Sequence, residues 1–322
     1  MRRTIAAATA AVLALGLAAC SADSSPLSGD MATQPLVEAP APAPAQGAAE
    51  APKCDARASL KPAATLPPAG KMPAGTYMET IQKRDRLILG TSQDTLLFSS
   101  RNPFTGQIEG FDVDMGRQIA AAIFGDPNKI QIKVIGYDQR VSSVVNGDVD
   151  IVADTMTANC ERWQDVNFSS IYYEAGQKVL VSTSSGAKRI EDLGGKKVCS
   201  VQGSTSFDNI SKVKTNPKPV PVARSAFGDC LVAFQRNQVD AVTTDDTILA
   251  GMAAQDPYAK VVGGTFTEEP YGMAMPRQHP EFTRFVNGVL AKNRANGTWA
   301  KTYEKWLGAF GAAPTPPVAK YR

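Results

Sequence analysis

The chain lacks most of the features that mark an enzyme or a nucleic-acid binder. It has one histidine, His279, beside Pro280 in RQHPEF, and no convincing Ser/His/Asp set can be assembled around it. No GxGxxG or P-loop glycine pattern occurs, so the usual phosphate cradles are missing. There is no CxxC, which argues against zinc and redox chemistry, and neither a metal nor a cofactor is expected. The 34 basic residues against 31 acidic leave a formal charge of only +3, with no Lys/Arg run of the kind that tracks nucleic acid. The apolar stretch from Ile5 to Leu17 covers thirteen residues, too few to span a bilayer. What survives these exclusions is a partner in the form of a small molecule.

What is present points the same way. At 322 residues, 43% hydrophobic and 20% charged, the chain is long and apolar enough for one large domain or two smaller ones. Arg2 and Arg3 followed by the apolar run and LAAC read as a targeting segment over residues 1–19. Leu17-Ala18-Ala19-Cys20 resembles the bacterial lipobox, which implies a palmitate-type lipid anchor on Cys20 and a chain tethered to the outer face of the cell membrane. Residues 20–74, with APAPAPAQGAAEAP and LPPAG, hold few large apolar groups and read as a Pro/Ala-rich tether. GAAPTPPVAKYR, residues 311–322, reads as a flexible tail. Beyond Cys20 four cysteines remain, Cys54, Cys160, Cys199 and Cys230; an even number in an oxidising compartment suggests two disulfides, and three pairings are open.

Between about residues 75 and 310 strand patterns alternate with helical ones. RLILGTS, KIQIKVIGY, VDIVADT, KVLVST, KKVCSVQ, VDAVTTD and YGMAMP read as strands. GFDVDMGRQIAAAIFG, RVSSVVNG and CLVAFQRNQ read as helices, and PEFTRFVNGVLAKNRANGTWAKTYEKWLGAF as two more, broken at ANGT. This order predicts an α/β architecture with largely parallel sheets, whose ligands bind beyond the carboxyl ends of strands.

Three strand ends carry suitable polar residues. VDIVADT runs into TMTANCERW, where Thr155, Thr157, the helix-capping Asn159 and the planar guanidinium of Arg162 suit a carboxylate. SVQGSTSFD offers a tight turn at Gly203 and hydroxyls at Ser204, Thr205 and Ser206. VDAVTTDDTIL ends in Asp245 and Asp246, acceptors for an ammonium group or caps for the next helix.

Six stretches in series, EGFDVDMGRQIA, VDIVADTMTANCERWQDVNFSSIYY, DLGGKKVCSVQGSTS, VDAVTTDDTIL, YGMAMP and NGTWAKTYEKWLG, resemble the polar amino-acid-binding proteins of bacterial uptake systems, extracellular solute-binding family 3. With lipobox and spacer, the chain looks most like their glutamine/glutamate-binding lipoproteins. The resemblance implies a two-lobed periplasmic-binding-protein-like (type II) fold with a hinge and central cleft. Lobe 1 is expected at 75–175 plus 271–310 and lobe 2 at 176–270, which favours pairing Cys199 with Cys230 inside lobe 2 and Cys54 with Cys160. It also implies that Arg162 binds the α-carboxylate, with Thr155, Thr157 and, across the cleft, Thr205 beside it, and that Asp245 accepts the α-amino group. Ser92 stands where relatives deliver an aromatic shelf, Tyr137 could replace that shelf, and Arg140 matches an arginine that faces the side-chain carboxylate in glutamate/aspartate binders. The expected ligand is therefore glutamate or aspartate, with glutamine or asparagine next. The expected partner is an ABC permease, and the chain a monomer. The alternatives are a sensor that presents its occupancy to a membrane signalling protein and, further off, a cyclohexadienyl-type dehydratase.

Overall fold

In a computed structural model, residues 53–322 are described. The targeting segment, Cys20 and the tether up to residue 52 lie outside them.

Two five-stranded sheets carry the fold, and each follows the same plan. In the first, Ile130–Val134, Leu87–Thr91 and Ile151–Val152 lie parallel, and Ala274–Pro276 and Val166–Phe168 continue the sheet antiparallel. In the second, Val220–Arg224, Lys197–Val201 and Ala241–Asp245 are parallel, followed by the antiparallel strands Tyr173–Ser182 and Ala259–Tyr271. Only three strands, at one side of each sheet, pair in parallel, fewer than the sequence pattern predicts. Within three residues of the carboxyl ends of five of the parallel strands, at Val134, Val152, Val201, Arg224 and Asp245, the chain reaches a single cleft, through Tyr137, Thr155, Ser204, Phe227 and Asp245 itself.

Chain passes between the two sheets twice, through Tyr173–Ser182 and Ala259–Tyr271, which pair with each other antiparallel along most of their length. Their register shifts between Val262 and Thr267. The thirteen-residue strand Ala259–Tyr271 went unread in the sequence. Its Gly263-Gly264 pair and the Glu268-Glu269-Pro270 run break any apolar alternation, and the long neighbour holds it in place.

Each sheet is covered by helices whose apolar faces match it. Phe111–Phe124 buries Phe111, Met115, Ile119 and Ile123, one residue per turn, over the first sheet's Leu87 and Leu89. Gly125 closes that helix in the left-handed conformation at φ 81°, its N–H donating to the Ala121 carbonyl. The two C-terminal helices, Pro280–Ala295 and Thr298–Leu307, complete the same core with Phe282, Phe285 and Trp299. Helix Phe227–Gln235 packs Leu231 and Phe234 on the second sheet. There Cys199 is joined to Cys230, while Cys54 is joined to Cys160, the pairing the lobe assignment favoured.

Both ends of the described chain differ from the expectation of a tether to residue 74 and a loose tail. Ala58–Ser59 pairs in parallel with Lys320–Tyr321. Ser59 is buried, donates to the Phe168 carbonyl at 2.6 Å and accepts from Asn287 at 2.8 Å. The Trp163 indole donates to the Ala56 carbonyl at 2.9 Å, and Met72 enters the core. A Pro/Ala-rich stretch cannot build a core of its own, but it can finish the surface of a core already there.

Gly110, which opens helix Phe111–Phe124, sits at φ 145° with no room for a side chain, since a Cβ would fall 2.1 Å from the Phe98 carbonyl oxygen. We predict that Gly110→Ala lowers unfolding free energy by about 2–4 kcal/mol through strain and displacement of the backbone at Phe98. A denaturant midpoint equal to wild type would refute the clash.

Candidate functional site

The first wall of the cleft is built on a strained corner. After Ile151–Val152 the chain turns through Asp154 and Thr155, whose φ of 42° puts a β-branched residue in the left-handed region. Buried Asp112 holds that corner, accepting from the Thr155 N–H at 2.6 Å and from the Tyr172 hydroxyl at 2.6 Å. Burial pushes the Asp112 carboxyl up to about 7, with the charge of Asp154 adding to it. Asp154 is itself raised by burial and accepts from the Ser92 N–H at 2.9 Å. The Thr155 hydroxyl is buried and has no hydrogen-bond partner.

Arg140 crosses behind this corner, 3% exposed. Its Nε donates to the Tyr137 carbonyl at 2.9 Å, Nη1 to Asp154 and Thr155 carbonyls at 3.0 and 3.4 Å, and Nη2 to the Gly203 carbonyl at 3.2 Å. Arg162 lies at the other side of Thr157. Its N–H is capped by Asn159 Oδ1 at 2.8 Å in a short 3₁₀ turn rather than a full helix, and its guanidinium donates to the Thr157 carbonyl at 2.7 Å and to Gly203 at 3.1 Å. Burial and the nearby charge of Arg140 lower Arg162 to about 9.

The facing wall comes from the second sheet. Gly203 turns at φ 77°, and a Cβ there would sit 2.6 Å from Asp138 Cα, so glycine is required both for the turn and for the close approach of the first lobe. Ser204 caps the helix Thr205–Ile210, accepting from the Phe207 N–H at 3.1 Å. Asp245 accepts from the Tyr271 hydroxyl at 2.6 Å and from Ser206 at 3.3 Å. Its burial, followed by the charge of Glu269, pushes it up to about 8 despite those bonds.

Tyr137, Arg140, Thr155 and Thr157 from the first lobe meet Ser204, Thr205, Ser206 and Asp245 from the second around a cavity of about 10 Å³, room for one water at most, with Phe227 and Ile248 beside Tyr137. The lobes are thus closed on each other. Arg162, Gly203 and Ser92 stand behind the wall: Ser92 forms a hydroxyl cluster with Ser99 at 2.7 Å, Thr95 at 3.2 Å and Tyr137.

Residues 87–309 match the family described as bacterial extracellular solute-binding proteins, family 3. The chain belongs to that family. It is 38% identical over 231 residues to the ABC transporter glutamine-binding protein of Bacillus subtilis, covering 71% of this chain and 84% of that protein. It is 31% identical over 232 residues to the glutamate-binding protein of Corynebacterium glutamicum, covering 68% and 78%. Among solved structures, an ancestral arginine-binding protein bound to glutamine superposes with a TM-score of 0.64 at 33% identity, over 70% of this chain and 99% of that one.

For this family member the cleft contains residues that sequence reasoning missed. Asp94 accepts from the Gly228 N–H at 2.9 Å, so a first-lobe carboxylate caps second-lobe helix Phe227–Gln235, whose own cap residue is Ala226. Glu269, 2% exposed, collects hydrogen bonds from Thr157 and Thr205 at 2.6 and 2.7 Å. Glu269 lies near the carboxyl end of Ala259–Tyr271, a strand with no readable apolar alternation, and Asp94 lies three residues beyond Leu87–Thr91 with no sequence signal linking it to Gly228. Asp112 had a weak one, GFDVD at a helix start.

The raised carboxyl of Asp245 has a consequence for stability. Its folded value of about 8 exceeds the unfolded one, so between about pH 4 and 8 the folded protein holds the extra proton and stability falls as pH rises. We expect ligand-free Asp245→Asn to show a shallower fall of Tm across that window and a higher Tm at pH 8. An unchanged slope would mean that Asp245 is ionised at ordinary pH.

Proposed function

We propose that this chain is a lipid-tethered extracytoplasmic receptor that closes on the zwitterionic head of a free amino acid, glutamine above others, and delivers it to an ABC permease. The observation that carries this reading is the convergence, on one cavity between two lobes, of a hydroxyl with no partner at Thr155, the guanidinium of Arg140 with Arg162 behind it, and the carboxyl of Asp245. That set matches a carboxylate and an ammonium group held side by side. The glutamine- and glutamate-binding relatives support the ligand class, and the ABC-transporter relative supports the partner. All are named as binding proteins, which supports a receptor over a dehydratase.

The preference for glutamine departs from the acidic ligand that Arg140 alone suggested. Arg140 gives four of its five N–H groups to backbone carbonyls, so it serves mainly to join Tyr137, Asp154 and Thr155 to Gly203 and keeps one donor for a ligand. Five carboxyl groups, Asp94, Asp112, Asp154, Asp245 and Glu269, stand in or behind the walls against only the two guanidiniums; burial already holds Asp112 and Asp245 partly protonated, and a side-chain carboxylate would bring one more negative charge into walls that resist it. A neutral amide adds none.

Two measurements test this. Calorimetry on ligand-stripped protein should rank glutamine at least about tenfold above glutamate, a gap of about 1.4 kcal/mol. Arg140→Gln should weaken both by a similar factor, because what it removes is the tie between the lobes; a loss confined to glutamate would restore Arg140 as a side-chain contact. The tether is tested separately: Cys20→Ala should release the protein from the membrane while leaving calorimetric affinity intact, and a variant still held at the membrane would rule out the lipid anchor.

A further inference from the structure

We propose that Glu269 is the positioning residue that fixes which way the hydroxyls of Thr157 and Thr205 point, making both of them acceptors toward a bound ligand's ammonium group. The inference rests on the amino-acid reading above and deepens it.

A threonine hydroxyl has one proton to give and two lone pairs. Glu269 Oε2 takes that proton from Thr157 at 2.6 Å and from Thr205 at 2.7 Å, and the two hydroxyl oxygens stand 3.4 Å apart. Both residues line the cavity, so what they turn toward it are lone pairs. Asp245, on the same cavity, accepts from Tyr271 and Ser206, and an ammonium group beside it favours its ionised, acceptor-only form. Ser204, also on that wall, has its proton committed to the Val201 carbonyl at 2.6 Å. Among the lining side chains named here, the donors are Thr155, with its hydroxyl unpartnered, and the guanidinium of Arg140. The cavity therefore has an acceptor side at Thr157, Thr205 and Asp245 and a donor side at Thr155, and the ammonium belongs on the first. This reverses the part that Thr157 and Thr205 take in a carboxylate-binding scheme.

The other oxygen, Oε1, is engaged as well, accepting from Thr267 at 2.7 Å and Asn209 at 3.4 Å. The carboxylate is needed at both ends, and an amide would place its NH₂ against a donor at one of them. Glu269 also has the right location: it sits on the crossing strand Ala259–Tyr271, where the Thr157–Tyr271 bridge brings the first lobe alongside, and it gathers one hydroxyl from each lobe.

The test compares an amino acid with the same molecule lacking its α-amino group, L-glutamine against 5-amino-5-oxopentanoate. Should another amino acid bind tighter, that one and its deaminated form are used. Wild type is expected to prefer the amine-bearing ligand. Glu269→Ala should weaken that ligand by about 10- to 100-fold, the range of a charge-supported hydrogen bond, and change the deaminated one by less than about threefold, so that the preference collapses. Glu269→Gln, isosteric and with one acceptor oxygen instead of two, should lower the same ratio by at least about threefold, and it decides the matter if the alanine variant does not fold. Equal weakening of both ligands, or an unchanged ratio in the glutamine variant, overturns the inference, since a residue that only braces the hinge cannot tell the two molecules apart. Wild-type protein that binds no amino acid would sink the underlying reading and this one together.

Discussion

One carbonyl oxygen, that of Gly203, takes hydrogen bonds from two guanidinium groups on the opposite lobe, Arg140 at 3.2 Å and Arg162 at 3.1 Å. Much of the closed cleft follows from this. The approach works only because residue 203 has no side chain and turns at positive φ. The same turn presents Ser204 as a helix cap and Thr205 as its first residue, and so delivers the second lobe's hydroxyls to the cavity. On the other lobe, the two arginines reach that carbonyl because the backbone carbonyls of Tyr137, Asp154, Thr155 and Thr157 hold them in place.

Closing two such surfaces buries charge, and the structure shows how that cost is contained. Asp94 crosses the cleft to cap a helix whose own cap residue has no side-chain acceptor. Asp112 and Asp245 are pushed up to about 7 and 8, so each carries less charge near neutrality than an exposed aspartate would. Arg162 moves the opposite way for the same reason. Hydroxyl donors serve Asp245 and Glu269 where no guanidinium reaches, the cheaper solution where a further full charge would have to be desolvated. The cleft is thus rich in carboxyl groups and short of free cationic donors, the basis for preferring a zwitterion with a neutral side chain.

The hinge shows how a backbone element can decide side-chain chemistry. Pairing of Tyr173–Ser182 with Ala259–Tyr271 sets Gln177 opposite Thr267, and Gln177 Oε1 then accepts from Asn209 at 2.9 Å while Thr267 serves Glu269. A chain of side-chain hydrogen bonds therefore runs from the crossing strands to the threonines of both lobes. A change in their register would move Glu269 away from both.

Much of this was legible in the sequence. The alternation of strand and helix patterns, the glycine turn before Ser204 and the polar strand ends at Thr155 and Asp245 are local properties, governed by side-chain periodicity and turn chemistry, and they determined the α/β class, the two-lobed fold once joined with the family resemblance, and most of the cavity's lining. What only the tertiary structure decided is which polar groups meet and which way their protons point. Glu269 lies 112 residues from Thr157 and 64 from Thr205 in sequence, and no local pattern links them. Arg140 reads as a free cation until the fold surrounds it with carbonyls. The Pro/Ala-rich stretch around Ala56–Leu60 reads as tether until Phe168, Trp163 and Asn287 supply a surface it can complete. Periodicity is written in neighbouring residues; hydrogen-bond direction and charge balance depend on groups that only folding brings within about 3 Å of one another.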